Sequence, residues 1–407
     1  MVLESRRAGK GSGLQDWSDD SWSDNAVIKV IGVGGGGNNA VQHMCDKAIE
    51  GVDFICANTD LKALRNLRVK GKLRLGEQLT KGLGAGANPD IGRQAAIESR
   101  DEVISFTKDA DIVFITAGMG GGTGTGAAPV VAEIARESGV LTVAVVTRPF
   151  EFEGSKRRRV ADQGIKALAE HVDSLIIIPN DKLLPTLGQD ISLIEAFAAA
   201  NDVLLGAVQG ISDLITRPGL IGVDFADVRT VMREMGISMM GTGYSANEAN
   251  SAIEATNQAI ESPLLENIDL RGAKGVLVNI TAGENLSLGQ FNQVGNLVKD
   301  FAAEDATVVI GTAIDPEMQE GIRVTVVATG LNEGFSTAYT SDFMQMRNQR
   351  IIKEQHGSNK FTHDRKSNKK PGHQSDANTT TAANRIKESD KDLNYLDVPA
   401  FIRKQSD

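Results

Sequence analysis

The sequence predicts an α/β protein: a Rossmann-type parallel-sheet domain, joined by a long central helix to a smaller α/β domain with a mixed sheet. Three observations predict it. Short β-branched apolar runs alternate with helical patterns between residues 27 and 178, the order of a doubly wound parallel sheet. Two of those runs pass straight into glycine-rich loops that are followed by helices. A capping box, Ser192-x-x-Glu195, then opens an apolar helical pattern that continues to about Ile215.

The chain's 407 residues suffice for two ordinary domains with tails, and 41% hydrophobic content suits a globular protein. No apolar run approaches the ~20 residues that span a bilayer. The segment MVLESRRAGKGSG lacks the apolar stretch of a secretory signal. Cys45 and Cys56 read as reduced thiols of a cytoplasmic protein, and the five histidines form no ligand pattern, so no metal site is expected in the protein itself. Residues 336–407 hold 13 Lys and Arg against 9 Asp and Glu; this +4 leaves −14 on the remainder of a chain whose net charge is −10. An acidic body argues against a nucleic-acid-binding core.

Residues 1–24 are polar and aperiodic and are expected to be disordered, and no role is read for Trp17 and Trp22. Val27–Val33 is the first strand. It enters Gly34-Gly35-Gly36-Gly37-Asn38-Asn39-Ala40, and a helix is expected from Val41 to about Ile49. Gly32-x-Gly34-x-x-Gly37, with Asp53 beyond, matches a dinucleotide fingerprint, but no hydride-transfer site accompanies it. The second loop is richer. Six of the nine residues of Gly118–Gly126 are glycine, behind the strand 111–117 and ahead of a helix with Pro129 expected in its opening turn. Such a loop presents bare N–H groups and the positive end of a helix dipole to phosphate, and Thr123 and Thr125 add hydroxyl donors. The loop has no lysine in the Walker position, so amides, a bound Mg²⁺ and basic groups from elsewhere must meet the phosphate charge. Two such loops on two strands suggest one nucleotide gripped from both sides.

Further loops fall at strand ends, where ligands of such sheets gather. They are Asn58-Thr59-Asp60, Gly82–Pro89 ahead of a helix over 90–105, and Arg148–Arg157 after the strand 141–146. Arg157 offers positive charge, and as a bare pattern Glu153 and Arg157 also read as a solvated ion pair. Within the central helix Asn201 and Asp202 are polar, able to read a base edge or simply to form a hydrophilic face. Asp224 and Asp227 share one face of the helix they begin, where acids serve the dipole or chemistry. A helix over 245–261, strands at 275–281, 306–312 and 322–329, and a helix over 288–303 make the smaller domain. Residues 335–393 read as a flexible linker of ~40 Å r.m.s. span. Leu396, Val398, Pro399, Phe401 and Ile402 then form a short apolar recognition peptide.

Gly120-Gly-Gly-Thr-Gly-Thr-Gly126 is the tubulin-type glycine motif. With Gly34–Ala40, Asn58-Thr-Asp60, Gly86-Ala-Asn-Pro89 and Val223-Asp-Phe-Ala-Asp227, the chain closely resembles the FtsZ family of bacterial tubulin-like division GTPases over residues 26–330 and again at 396–404. The resemblance implies a tubulin-like fold with a GTP-binding domain over 25–191, a central helix over 192–215, a C-terminal domain over 216–334, and the peptide within 394–407. It implies GTP binding with Mg²⁺, head-to-tail filaments, and a cytoplasmic division ring at midcell. It carries Gly35–Ala40 and Gly122–Thr125 over as phosphate and ribose contacts, Glu153 and Arg157 as ribose- and phosphate-side groups, Asn201 as the guanine reader with Phe197 stacking nearby, and the peptide as the site for membrane tethers and regulators. Asp224 and Asp227 become the acidic pair that positions the attacking water. From Asn201 to the helix end is about 22 Å at 1.5 Å per residue, so the pair reaches a nucleotide held by the next subunit. Two positions depart from the family pattern. Asn38 stands where a glycine is usual, a mild change because Asn tolerates left-handed angles. Gly222 stands where Asn is usual, which predicts slower turnover with binding retained. It leaves open a divergent, co-assembling copy that scarcely hydrolyses GTP.

Overall fold

The computed structural model describes residues 26–331, apart from 189, 218, 235, 248–249, 266–272 and 319. The expected N-terminal extension (1–24), linker (335–393) and C-terminal peptide (394–407) lie outside the described residues.

β1 (Ile28–Val33) leads into α1 (Gly34–Asp46), then β2 (Val52–Asn58), α2 (Leu61–Arg65), β3 (Gly71–Arg74), α3 (Glu77–Thr80), α4 (Pro89–Glu98) and α5 (Arg100–Thr107). β4 (Ile112–Gly118), α6 (Thr123–Glu137), β5 (Leu141–Arg148), α7 (Ser155–Ala169), β6 (Ser174–Pro179) and α8 (Leu184–Leu187) follow. α9 (Leu193–Thr216) is the central helix. After it come α10 (Phe225–Met232), β7 (Ile237–Ser245), α11 (Ser251–Ile260), β8 (Gly275–Ala282), α12 (Leu288–Phe301), β9 (Thr307–Ile314) and β10 (Ile322–Leu331).

The strands form one sheet in the order β3-β2-β1-β4-β5-β6-β7-β10-β8-β9. The first six are parallel and in level register, with Val33 opposite both Ala57 and Ala117, and Gly118 opposite Thr147. Their carboxyl ends therefore form one rim. β10 runs antiparallel to β7 and β8, while β8 and β9 are parallel, which makes the second half mixed. The two halves read separately in the sequence are continuous here: β6 and β7 pair through Leu175–Ile237 and Ile176–Ser238.

α9 is the shared spine. Its Leu204, Val208 and Ile211 are buried in one cluster with Val30 and Phe114 on one side and Leu277 and Val327 on the other. Each such side chain contributes ~1.5–3 kcal/mol on leaving water. α9 is also, among the described residues, the helix long and apolar enough to cross a membrane, contrary to the reading that no run approached that length. Its apolar stripe faces this core instead. Behind the sheet, Ala127, Val131 and Ile134 of α6 pack with Ala95 of α4 against Val33 and Ile115.

Several boundaries differ from expectation. α1 opens at Gly34 rather than Val41, and α6 opens at Thr123, so Pro129 lies in its second turn. In both, the glycine loop itself winds into helix. The helix expected over 90–105 breaks at Ser99, whose hydroxyl accepts the Gly76 N–H at 3.1 Å. The start of the helix expected over 245–261 is instead the end of β7.

Candidate functional site

The two glycine loops touch backbone to backbone. A Cβ on Gly34 would lie 2.6 Å from the Gly124 nitrogen, one on Gly36 would lie 2.9 Å from the Gly118 Cα, and one on Gly37 would lie 2.2 Å from the Thr116 carbonyl oxygen. Any side chain at Gly34 or Gly37 would force the loops apart. Gly34 also holds φ at +73°, and Gly120 at +100°, where glycine carries no Cβ penalty.

Neither α1 nor α6 has a side-chain cap at its N-terminus. Asp60, Asn88, Ser192, Asp224 and Ser287 each accept an N–H of the helix they open, while α5, α7 and α11 are also without a side-chain cap; what sets α1 and α6 apart is that their open ends are glycine-rich and adjoin each other. The first-turn donors of α1 and α6 are thus left for an outside anion, at the positive end of two dipoles.

Beside these loops is a cleft of about 230 Å³. Gly36, Asn39, Gly118, Glu153, Arg157, Phe197 and Asn201 line it, so one site gathers residues from five elements spread over 165 positions of sequence. The Glu153 carboxylate accepts the Phe150 N–H at 2.9 Å and pairs with Arg157 at 3.0 Å. The ion pair read from the sequence is therefore real, and it sits on the cleft wall. Phe197 is 40% exposed and meets Phe150 edge-on, with centroids 5.5 Å apart. Asn201 lines the cleft, whereas its neighbour Asp202 contacts His43 of α1 at 2.7 Å.

Sequence reasoning passed over Asn180, in the turn after β6. It is 3% exposed, lines the cleft, and its Oδ1 has no hydrogen-bond partner among the described residues. A buried acceptor of that kind costs about 1–3 kcal/mol unless a ligand donor meets it. Its position at the end of a parallel strand was the available signal.

Other expected contacts are placed differently. Gly35 and Gly36 are exposed, but Gly37 is buried and Ala40 belongs to the core. The Asn38 side chain, 2% exposed, turns inward. With its amide oriented to suit its neighbours, it donates to Gly32 O at 2.7 Å and accepts from Asn58 Nδ2 at 3.0 Å. It fastens β1 to β2 instead of reaching the cleft. Thr125 is buried, and its hydroxyl oxygen accepts the Gly120 N–H at 2.8 Å, bracing the loop that Gly122 and Gly124 form. Thr123 is less buried and shares a 2.6 Å hydroxyl contact with Thr59.

Asp224 and Asp227 lie beyond the other end of α9, both exposed. Asp224 Oδ1 accepts the Asp227 N–H at 2.8 Å. The loop ahead of them is anchored to β9, since Ile221 donates to Thr312 Oγ1 and accepts the Thr312 N–H. Gly222 is exposed, and nothing lies within 4 Å of the place a Cβ would take. About 22 Å of α9 run from Asn201 to its end at Thr216, and the acidic pair lies past that end, on the segment that the β9 contacts anchor. Among the described residues no group of three or more His, Cys, Asp or Glu stands together as a metal site.

The chain is similar to known proteins along almost its whole length. The model of the Tubulin/FtsZ family GTPase domain matches residues 27–188, and that of the FtsZ family C-terminal domain matches residues 236–332. Cell division protein FtsZ of Pseudomonas aeruginosa is 56% identical over 394 residues, covering 95% of this chain and 99% of its own. Its counterpart in Coxiella burnetii is 57% identical, covering 93% and 96%. An empty FtsZ dimer from M. jannaschii superposes with a TM-score of 0.72 at 44% identity, covering 75% of this chain and 88% of its own. CetZ2 from Haloferax volcanii, in a GTPγS-bound protofilament, shares the fold with a TM-score of 0.66 at 21% identity, covering 81% and 99%. On the strength of these matches and of the paired glycine loops beneath them, the chain belongs to the FtsZ family of tubulin-like GTPases.

Proposed function

We propose that the chain seats GTP in the cleft beside α1 and α6 and hydrolyses it only when a second copy brings Asp224 and Asp227 against the γ-phosphate. Family membership makes the chain a GTP-binding, self-associating cytoskeletal protein of cell division.

In this reading the uncapped first-turn amides of α1, Gly35–Gly37, and those of α6 with Gly122 ahead of it, through Thr125, take the phosphates, and Asn39 faces them from the cleft wall. Thr123 and Arg157 add donors. Glu153 takes the ribose, Asn201 and Asn180 read the base, and Phe197 lies against its face. Mg²⁺ has no ready-made protein cage among the described residues. When bound it would arrive with the nucleotide and supply positive charge against the phosphates. Asp224 and Asp227 orient the attacking water, and the backbone amides stabilise the charge that spreads over the transferred phosphoryl group.

One observation carries the reading. The anion-ready loops and the acidic pair sit at opposite ends of one rigid helix, too far apart to serve one nucleotide in one molecule. Stacked head to tail, one copy's acidic end meets the next copy's cleft. Assembly and turnover then become a single coupled event. The weakly hydrolysing regulatory copy is not favoured, since relatives 54–57% identical over nearly the whole chain are division proteins themselves. The peptide Leu396, Val398, Pro399, Phe401 and Ile402 would bind membrane tethers and regulators, placing the filament as a cytoplasmic ring at midcell.

Sedimentation with GTP, GDP or no nucleotide, with phosphate release followed in the same tubes, tests it. The expected result is GTP-dependent pelleting and a rate per molecule that rises above a threshold concentration. Full-rate hydrolysis by a monomer too dilute to assemble would falsify the shared site.

A further inference from the structure

One edge of the sheet is strongly basic. Between Leu61 and Lys81 the chain carries seven lysines and arginines against one carboxylate, Glu77, in a protein whose net charge is −10. β3 is the outermost strand there, with α2 beside it. Arg68 is paired with Asp46 and Arg74 with Glu77. Lys62, Arg65 and Lys70 are exposed, with no carboxylate partner among the described residues. Lys72 is exposed as well, and its ammonium donates to the Leu67 carbonyl, which leaves its charge unanswered. One or two lysines suffice to keep an open edge from pairing with another strand. Lys62 and Arg65 on α2, with Lys70 and Lys72 at the start of β3, thus spread four cations without an ion-pair partner among the described residues along this edge, a charge that favours an anionic cover.

The sequence holds such a cover nearby. Residues 16–24 read Asp-Trp-Ser-Asp-Asp-Ser-Trp-Ser-Asp, with four carboxylates, no cation and both tryptophans of the chain. This segment enters β1, which starts at Ile28 opposite Val52, two strands in from the edge, while β3 starts with Gly71 opposite Ile55. The entry to β1 is thus about 10 Å across and 10 Å along from the start of β3. Asp24 is only four residues ahead of Ile28, and nine extended residues reach ~30 Å. A tether that short holds the segment at an effective concentration in the millimolar range. Its carboxylates suit the lysines, and an indole face suits an arginine or lysine head group.

We propose that residues 16–24 dock on the basic edge formed by Lys62, Arg65, Lys70 and Lys72 of the same chain and cover the open side of β3. While docked, they keep that edge from making lateral contacts with a neighbouring filament. The contact is electrostatic and solvent-facing, so salt releases it: the screening length is about 10 Å at 0.1 M and shorter above.

Trp17 and Trp22 are the protein's two tryptophans, so the intrinsic tryptophan emission of the full chain reports this segment. At low salt the emission is expected to lie to the blue of N-acetyltryptophanamide, with raised anisotropy. Both shifts are expected to be lost in 0.5 M NaCl, in the K62E/R65E/K70E variant, and in the D16N/D19N/D20N/D24N variant. The last alters no residue of the folded body, so its result is independent of any misfolding in the first. GTP turnover measured below saturation serves as the folding control for both. Water-like emission at low salt, or a blue shift that both variants retain, overturns the proposal. So does a shift that appears only above the assembly threshold, which assigns the edge to a second copy. Patch-dependent binding to phosphatidylglycerol vesicles without any change in tryptophan emission assigns it to lipid and overturns the proposal too.

Discussion

Asp224 caps its helix by accepting the backbone N–H of Asp227 at 2.8 Å, while the exposed Asp227 side chain has no partner among the described residues. The two acids are therefore unequal. Removing Asp224 costs a cap, about 1 kcal/mol, whatever else it does. Removing Asp227 leaves the fold intact. Asp227→Ala is expected to retain GTP while phosphate release falls by about 10²-fold or more, the scale of losing a positioned catalytic carboxylate. Nucleotide retention and phosphate release on one preparation check this, and an unimpaired rate removes Asp227 from the mechanism.

Gly222 stands in open space two residues before that cap. An asparagine there meets no steric resistance and restores a polar group at the proposed contact between copies. Gly222→Asn is expected to raise turnover above the assembly threshold and leave GTP affinity unchanged. A rate equal to or below the parent's shows that position 222 does not limit the reaction.

Gly35 and Gly36 offer a paired test of the phosphate loop. A methyl at 35 meets nothing within 4 Å, while one at 36 lies 2.9 Å from the Gly118 Cα. Gly36→Ala is expected to weaken GTP binding at least tenfold, about 1.4 kcal/mol, and Gly35→Ala, which strains no contact within the protein, to weaken it less. Titration calorimetry with GTP distinguishes the two, and equal affinities count against the close approach of the loops.

Asn180 supplies a buried acceptor that no group among the described residues satisfies. Asn180→Ala is expected to weaken nucleotide binding by roughly tenfold without lowering the unfolding temperature of the nucleotide-free protein, because no internal hydrogen bond to its Oδ1 is lost. A fall in that temperature with unchanged affinity makes the residue structural.

Asp213 lies in α9, 3.2 Å from Arg217, which also reaches Asp315 at 3.5 Å. Burial, partly offset by Arg217, pushes the Asp213 carboxyl up to about 6. The folded value exceeds the unfolded one, ~3.9, so the folded state binds the proton more tightly. The stability tied to that proton is fully present below about pH 4 and is lost as pH rises through 6. Unfolding midpoints measured between pH 4 and 7 are expected to show this term falling with pH, and Asp213→Asn is expected to flatten it. A pH profile identical in the variant excludes Asp213 as the source.

Much of the site was legible because glycine clusters, caps and strand ends are local signals. Gly118–Gly126 declares its loop through composition alone, and Ser192-x-x-Glu195 marks the start of α9 to the residue. What escaped depended on tertiary approach. β7 carries Gly241 and Gly243 in mid-strand, which reads as non-strand. They are there because the Ala259 and Ala255 carbonyls of α11 pack within about 2 Å of where a Cβ would stand. β3 is four residues long and mostly polar, so no periodicity announces it. Asn38 sat in the right loop, yet its amide was claimed by Gly32 and Asn58, a choice that only the position of β2 could reveal.

The join between β6 and β7 has a mechanical consequence. A sheet ten strands wide narrows there to two rungs, with a buried hydroxyl contact between Ser174 and Ser238 beside them. Torque applied across a chain of stacked molecules concentrates at its narrowest seam, and here the stiff rod of α9 runs alongside like an axle. The β6–β7 seam is thus where the sheet has the fewest backbone bonds to resist a bend, while the strands that carry the nucleotide cradle are paired over six or seven residues.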